Sequence, residues 1–337
     1  MVIETAEVGA LQGVVAIGAS AGGVEALSNF AAGLSPDVPF AYLMVLHVPA
    51  GAPSILARIV DRSGPLPATA AENGTALEPG HIYVGVPDRH LLVADHQVLL
   101  SQGPTENGHR PAINALFRSV ALTFGPRAVG VLLSGVLDDG VLGMAAIRSR
   151  GGATISQSPE DALFPAMPTN AVEAGVVDRQ APAADIGAVL KELSHREIED
   201  SEMERDSAME LENRIAMMSR FATDFDTEKL GAPSGYICPD CNGSLVSVSA
   251  GNFRCQVGHA WTAEALLGAR DSEIEGAMWV AVRSLQEKAR LARDMADRAG
   301  TGLLVRRYTA IADEAERALA LLSDRLSTTA RQEGEAG

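Results

Sequence analysis

The first part of the chain alternates unbroken apolar runs with segments of helical periodicity. The runs G-V-V-A-I-G, A-Y-L-M-V-L-H-V, A-V-G-V-L-L-S-G and A-T-I-S-Q-S read as strands. Between them, V-E-A-L-S-N-F, S-I-L-A-R-I-V, A-I-N-A-L-F-R-S-V-A-L-T-F and V-L-G-M-A-A-I-R-S-R place apolar residues three and four apart, as a helix with one buried face requires. Such alternation predicts an α/β fold built on a mainly parallel, doubly wound sheet covered by helices. Within it, H-I-Y-V-G-V and H-L-L-V-A-D-H-Q-V-L-L are expected to form an antiparallel hairpin insertion that turns at residues 95–97.

The pattern changes after about residue 193. A run rich in acids, R-E-I-E-D-S-E-M-E-R-D-S-A-M-E-L-E-N, reads as a solvated helix or linker. Farther on, two amphipathic patterns separated by Gly-Thr-Gly at 300–302 predict a helical hairpin. The expected organisation is a domain at 10–193, an acidic helical linker at 194–230, a small module at 231–270 and the helical hairpin at 271–330. The apolar stripe of the hairpin is expected to pack on its partner helix or to build a homo-oligomer with a second subunit.

The chain has 337 residues and a formal net charge of −16, with the acidic excess concentrated ahead of Gly231. No region is basic, which disfavours nucleic acid or anionic lipid as the main partner. The N-terminus carries acids where a secretory signal carries bases, and no apolar run approaches a membrane span. A cytoplasmic protein with no direct membrane insertion is expected. The three cysteines cannot pair evenly, in agreement with a reducing compartment.

The candidate chemistry begins at Gly18-Ala19-Ser20-Ala21-Gly22, a G-x-S-x-G pattern where the first strand runs into a helix. Small neighbours let a serine hydroxyl project from the strand end and let backbone N–H groups face a developing oxyanion. A glycine-rich structural turn has the same composition, and Gly18-x-Ser20-x-x-Gly23 with Asp37 downstream is a degenerate dinucleotide pattern. What separates these readings is the other strand ends, since ligands of open parallel sheets bind beyond the carboxyl ends of the strands. His47 ends the second run, and Asp138 and Asp139 follow the A-V-G-V-L-L-S-G run. A hydroxyl, an imidazole and a carboxylate at one sheet edge are the parts of a serine-hydrolase triad. His90 and the pair His109-Arg110 could reach the same cleft and contact substrate.

Cys238-x-x-Cys241, followed by Cys255-x-x-x-His259, uses every cysteine in the chain. Two ligand pairs on turns with a hairpin between them are the layout of a zinc ribbon, and four ligands imply a structural Zn2+ with no vacancy for catalysis. No cofactor is expected at the catalytic site.

Several ordered motifs resemble the catalytic domain of the chemotaxis-type protein-glutamate methylesterases, the CheB family. They are V-V-A-I-G-A-S-A-G-G, V-L-H-V-P-A-G, A-E-N-G-T-A-L-E-P-G-H-I-Y-V-G-V-P-D-R-H, H-R-P-A-I-N-A-L-F-R-S-V-A, G-V-L-L-S-G-V-L-D-D-G and the M-P segment after I-S-Q-S, spanning about residues 13–193. The resemblance implies Ser20 as nucleophile, His47 as general base then acid, and Asp139 as the orienting carboxylate. It implies hydrolysis of glutamate γ-methyl esters on chemoreceptors, with glutamine deamidation in some members. Ala21 stands where threonine is common, Val136 and Leu137 replace methionine and glycine, and Asn114 replaces a frequent aspartate; Ala21 and Val136 are thereby expected at the substrate-facing rim. The receiver domain that precedes many members is expected to be absent, because the first strand begins near residue 13. The alternative from another class is a catalytically weak scaffold in a signalling complex.

Overall fold

The computed structural model describes residues 11–198, 205–218 and 231–335, with side chains as far as Leu326. A strand buried along its whole length must be covered on both faces, and β1 (Gly13–Ala19) and β2 (Phe40–Leu46) are so buried. With β3 (Ala68–Ala70), β4 (Ile82–Val84), the hairpin strands β5 (His90–Ala94) and β6 (Gln97–Ser101), then β7 (Ala128–Leu132), β8 (Ala153–Gln157) and β9 (Arg179–Ala181), they give two sheets. The larger runs β3-β4-β2-β1-β7-β8-β9 and every pair in it is parallel.

Alternate residues of β1 point into different layers. Val15, Ile17 and Ala19 pack with Leu27 and Phe30 of α1 (Gly23–Ala32), Val60 of α2 (Leu56–Ser63), and Ile186 and Leu190, while Val14 and Ala16 pack on the other side. That second layer contains Leu116 and Phe117 of α3 (Ile113–Phe124), Met144 and Ile147 of α4 (Val141–Ser149) and Met167 of α5 (Ala166–Glu173); Ile186 and Leu190 belong to α6 (Ile186–Ser194). The doubly wound α/β expectation holds. β1 lies between β2 and β7, so the chain reverses its winding there and opens a crevice at the carboxyl ends of β1 and β7.

One strand differs from expectation. The segment around Ile82–Val84 joins the parallel sheet beside β2 instead of pairing in the hairpin, and all three of its residues are buried there. The hairpin is β5 with β6, closed by Asp95 and His96 at φ 49° and 58°, the left-handed pair that a two-residue turn between twisted strands demands.

Part of the acidic run forms α7 (Ser207–Met217), capped by the Asp206 carboxylate, which accepts from the N–H groups of Ala208 and Met209. Ile215 and Ala216 are buried, and Ser101 Oγ donates to the Ala216 carbonyl at 2.6 Å. Much of the rest of that run lies outside the described residues. An antiparallel sheet of β10 (Ala232–Ile237), β11 (Ser244–Ser249), β12 (Asn252–Cys255) and β13 (Ala260–Thr262) carries the cysteines.

Helix α8 (Ala263–Arg298) starts directly after β13, earlier than the sequence pattern suggested. Thr262 explains the early start, since its Oγ1 accepts the Ala265 N–H at 3.1 Å and caps the helix. The chain divides into two compact units, one ending at Leu266 and one beginning at Leu267. In the second, α8 and α9 (Leu303–Glu335) form a helical hairpin whose buried positions include Ala289, Ala292 and Ala296 on one helix and Ala312 and Ala315 on the other. Among the described residues, no helix is long and apolar enough to cross a membrane.

Candidate active site

Ser20 leaves the end of β1 on a turn fixed from several sides. Its N–H donates to Ser134 O at 2.9 Å, its carbonyl accepts from Gly23 N–H at 2.9 Å, and Ser134 Oγ donates to Ala21 O at 2.8 Å. Gly22 adopts φ 69°, and a Cβ there would lie 2.8 Å from Ser134 Oγ. Both the left-handed backbone and the close approach therefore require glycine.

His47 follows β2 immediately. Because β1 and β2 are in parallel register with Ala19 opposite Leu46, the next residues of the two strands meet, and His47 N–H donates to Ala19 O at 3.1 Å. Its ring is 3.2 Å from Ser20 Oγ through Nδ1 and 2.8 Å from Asp139 Oδ2 through Nε2. The hydrogen-bond network assigns the proton to Nε2, donating to the carboxylate, and leaves Nδ1 to accept from the Ser20 hydroxyl.

Asp139 lies on the loop between β7 and α4 and is buried. The N–H groups of Ile113 and Asn114, at the start of α3, donate to its two oxygens at 2.7 and 3.3 Å. Burial works to raise this carboxyl, yet the His47 hydrogen bond, the His47 and His109 imidazoles and the helix N–H outweigh it and hold the carboxyl below the usual range. Asp138 accepts from Thr262 Oγ1 at 2.8 Å, and burial pushes its carboxyl up to about 6.

His109 lies flat against His47, ring centroids 3.7 Å apart. Burial first, and then the neighbouring His47, lower it to about 4, so it stays neutral across the physiological range. A cavity of about 400 Å³ opens beside this stack, with Ser20, His47, Pro49, Asp88, His109 and Arg110 in its walls. Arg110 reaches it already tied down, donating to the Asp88 carboxylate and to Gly103 O at 2.8 Å.

The four ligand atoms of Cys238, Cys241, Cys255 and His259 all lie within 4.8 Å of one another. Cys241 and Cys255 sulfurs are 3.7 Å apart, and His259 Nδ1 is 3.7 and 3.5 Å from the Cys238 and Cys255 sulfurs. A tetrahedral site with ordinary metal–sulfur and metal–nitrogen lengths needs about 3.8 Å between sulfurs and about 3.6 Å from sulfur to nitrogen. The cluster thus fits one metal ion.

The family model described as CheB methylesterase matches residues 15–190. The chain belongs to the CheB methylesterase family. A protein-glutamate methylesterase/protein-glutamine glutaminase of Photorhabdus laumondii is 38% identical over 168 residues, covering 49% of this chain and 48% of the relative. A protein of the same name from Thiobacillus denitrificans is 36% identical over 189 residues, 55% of this chain and 51% of its own length. The chain spans about half the length of these curated relatives. The CheB methylesterase catalytic domain of Thermotoga maritima superposes with a TM-score of 0.51 at 29% identity, covering 54% of this chain and 98% of that domain.

Of the candidate residues read from the sequence, Ser20, His47 and Asp139 come together as one hydrogen-bonded relay, and Arg110 lines the cavity. Ala21 and Val136 are not in its walls; Ala21 contributes a carbonyl to the turn and Val136 is 42% exposed. His90 corrects the expectation of substrate contact. It is fully buried, with Nε2 bonded to Pro104 O at 2.9 Å and Nδ1 accepting from Ala112 N–H at 3.3 Å, so both ring nitrogens are used inside the wall. Sequence reading noted Asn114 as a departure but missed its role: its Oδ1 accepts from Gly140 and Gly143 N–H at 3.0 and 2.8 Å and so caps α4 from another helix. Its departure from the family aspartate was the available signal.

Proposed function

We propose that this protein is a serine esterase that hydrolyses glutamate γ-methyl esters on chemoreceptor-like signalling proteins, giving glutamate and methanol, and that the same site deamidates glutamine. The observation that carries this reading is the Ser20–His47–Asp139 relay at the crevice where the sheet reverses its winding. The names of the relatives, protein-glutamate methylesterase/protein-glutamine glutaminase, supply the substrate class.

In the first half-reaction His47 Nδ1 takes the Ser20 hydroxyl proton while Oγ bonds to the ester carbonyl carbon. The carbonyl oxygen becomes an oxyanion. Ser20 and Gly135 N–H groups are committed to Ser134 O and Phe164 O, so the Ala21 and Gly22 N–H groups leading into α1 are the donors we assign to it. Asp139 stabilises the imidazolium that forms. Collapse of the tetrahedral adduct breaks the bond to methoxide, which takes the proton from His47 and leaves as methanol. Water then gives its proton to His47 and attacks the acyl carbon, and the returning proton releases Ser20 and the glutamate side chain. With glutamine the leaving group is ammonia, and the second half-reaction is identical.

The Cys3His cluster suits a structural Zn2+ held by Cys238, Cys241, Cys255 and His259, which would tie two turns of a sheet too small to hold its shape by packing. On the same reading the protein acts in the cytoplasm, and its C-terminal hairpin is available for self-association. The scaffold alternative draws no support from so complete a relay.

A serine-directed phosphonate probe tests the assignment. It should add one adduct at Ser20 in the intact mass, lost in Ser20→Ala and strongly slowed in His47→Ala. Labelling elsewhere, or none under forcing conditions, would overturn it.

A further inference from the structure

Two loops that build the cleft are held by the cysteine-bearing sheet. The first, between β6 and α3, brings Thr105, His109 and Arg110 to the cavity. Ala260 N–H donates to Thr105 O at 3.1 Å and Asn107 N–H donates to Ala260 O at 2.8 Å, which makes β13 a parallel neighbour of this loop. Side chains repeat the connection, Thr262 N–H donating to Asn107 Oδ1 at 2.9 Å and Thr105 Oγ1 to Asp240 at 2.8 Å. The second loop carries the catalytic carboxylate, and there Thr262 Oγ1 donates to Asp138 Oδ1 at 2.8 Å. One threonine thus touches the loop behind His109 and the residue beside Asp139.

Under this seam lies a group of four charges from four segments. Arg118 of α3 pairs with Glu106, and also with Glu212 of α7 at 3.3 Å. Arg254 of β12 stands 3.8 Å from both carboxylates. Glu106, Arg118 and Arg254 are all buried and the four formal charges cancel, so displacing Arg254 would leave uncompensated charge in the interior. Such a group fixes where the ribbon sits more than it adds stability.

Among the described residues, none of the ribbon lines the cavity in front of Ser20. The ribbon stands behind the walls and leaves the entrance open.

We propose that the Cys3His ribbon is a constitutive brace of the catalytic cleft, with Thr262 the positioning residue that holds the His109 loop and the Asp138–Asp139 turn in register. The proposal rests on the esterase reading for its activity arm. Metal occupancy is then felt at the active site: without it β12 and β13 lose their turns, the Thr105 and Asn107 backbone bonds go, and His109 is no longer held against His47. Misplacement of a catalytic side chain by about 1 Å costs up to about a hundredfold in rate.

The test uses the full chain loaded with zinc, a small activated ester as substrate, and hydrogen–deuterium exchange over residues 104–110 and 136–141. Thr262→Val keeps the backbone N–H bond to Asn107 but loses the hydroxyl bond to Asp138, and should lower kcat about tenfold with KM little changed and speed exchange of 136–141. Thr262→Ser, which keeps the hydroxyl, should restore both. Removing the metal by chelation, or with Cys241→Ser, should speed exchange of both segments in a chain whose threonine is intact. Wild-type kcat and wild-type protection of both segments in Thr262→Val and in the metal-free chain would overturn the brace, while inactive Ser20→Ala would leave the esterase reading standing. If wild type and Ser20→Ala prove equally inactive, the esterase reading fails and the exchange alone decides: unchanged protection overturns the brace, and lost protection supports it.

Discussion

The imidazole of His109 lies within 9° of parallel on that of His47, at a centroid separation of 3.7 Å. Held neutral by burial, it offers an aromatic face to the ring that becomes cationic in the proposed mechanism, without adding a second positive charge. His109→Phe should keep kcat within about threefold, whereas His109→Ala should lower it about tenfold by freeing the His47 ring. Steady-state kinetics on the two variants check this. Equal losses would mean that the His109 nitrogens matter, not its face.

Asp139 sets the His47 tautomer as well as its charge. Asp139→Asn can still accept from Ile113 N–H, so the fold should persist, but kcat should fall by about a thousandfold or more because the ring can no longer donate to a carboxylate. Thermal unfolding beside kinetics separates the two effects. The depressed carboxyl contributes stability above its unfolded pKa of about 4, and that contribution is lost as pH falls through the lower folded value.

Asp138 has the opposite sign. Its carboxyl, raised to about 6, holds a proton in the folded chain over a range where the unfolded chain has lost it, so its contribution to stability falls as pH rises from about 4 to about 6. Asp138→Asn keeps an oxygen for Thr262 and removes that loss. It should be more stable than wild type at pH 7, by at most about 2 kcal/mol once solvent screening is allowed for, with the difference vanishing near pH 4. Denaturant midpoints at the two pH values provide the check.

Asn114 supplies α4 with a cap that its own sequence lacks, since the residue at its N-cap is Gly140. Asn114→Ala should cost about 1–2 kcal/mol by leaving two buried N–H groups unmatched. Asn114→Asp should retain the cap but set a second carboxylate near Asp139, moving the acid limb of the kcat profile upward. A pH–rate profile of this variant distinguishes cap from charge.

The relay was legible in the sequence because each member ends a strand: Ser20 follows β1, His47 follows β2 and Asp139 closes the turn after β7. A polar residue at the end of an apolar run is a local signal. The donors that hold Asp139 are backbone groups of α3, which no side-chain pattern reveals, and the stacking of His109 follows from a loop path fixed elsewhere. The short strand at Ile82–Val84 was misplaced because three residues are too few to show whether one face or two are buried. The seam at Ala260 and Thr262 was beyond sequence reading altogether, because its bonds join residues about 120 to 160 positions apart with no pattern in either segment. His90 misled for a related reason. A histidine next to a cleft motif looks the same in sequence whether it faces the substrate or the wall behind it.

Methanol release from a receptor fragment bearing glutamate γ-methyl esters, measured for the wild-type chain and for Ser20→Ala, bears most directly on the esterase assignment. Methanol and newly formed glutamate in equal amounts are expected from wild type, and release at only the uncatalysed rate from Ser20→Ala. Undiminished release in Ser20→Ala would contradict it.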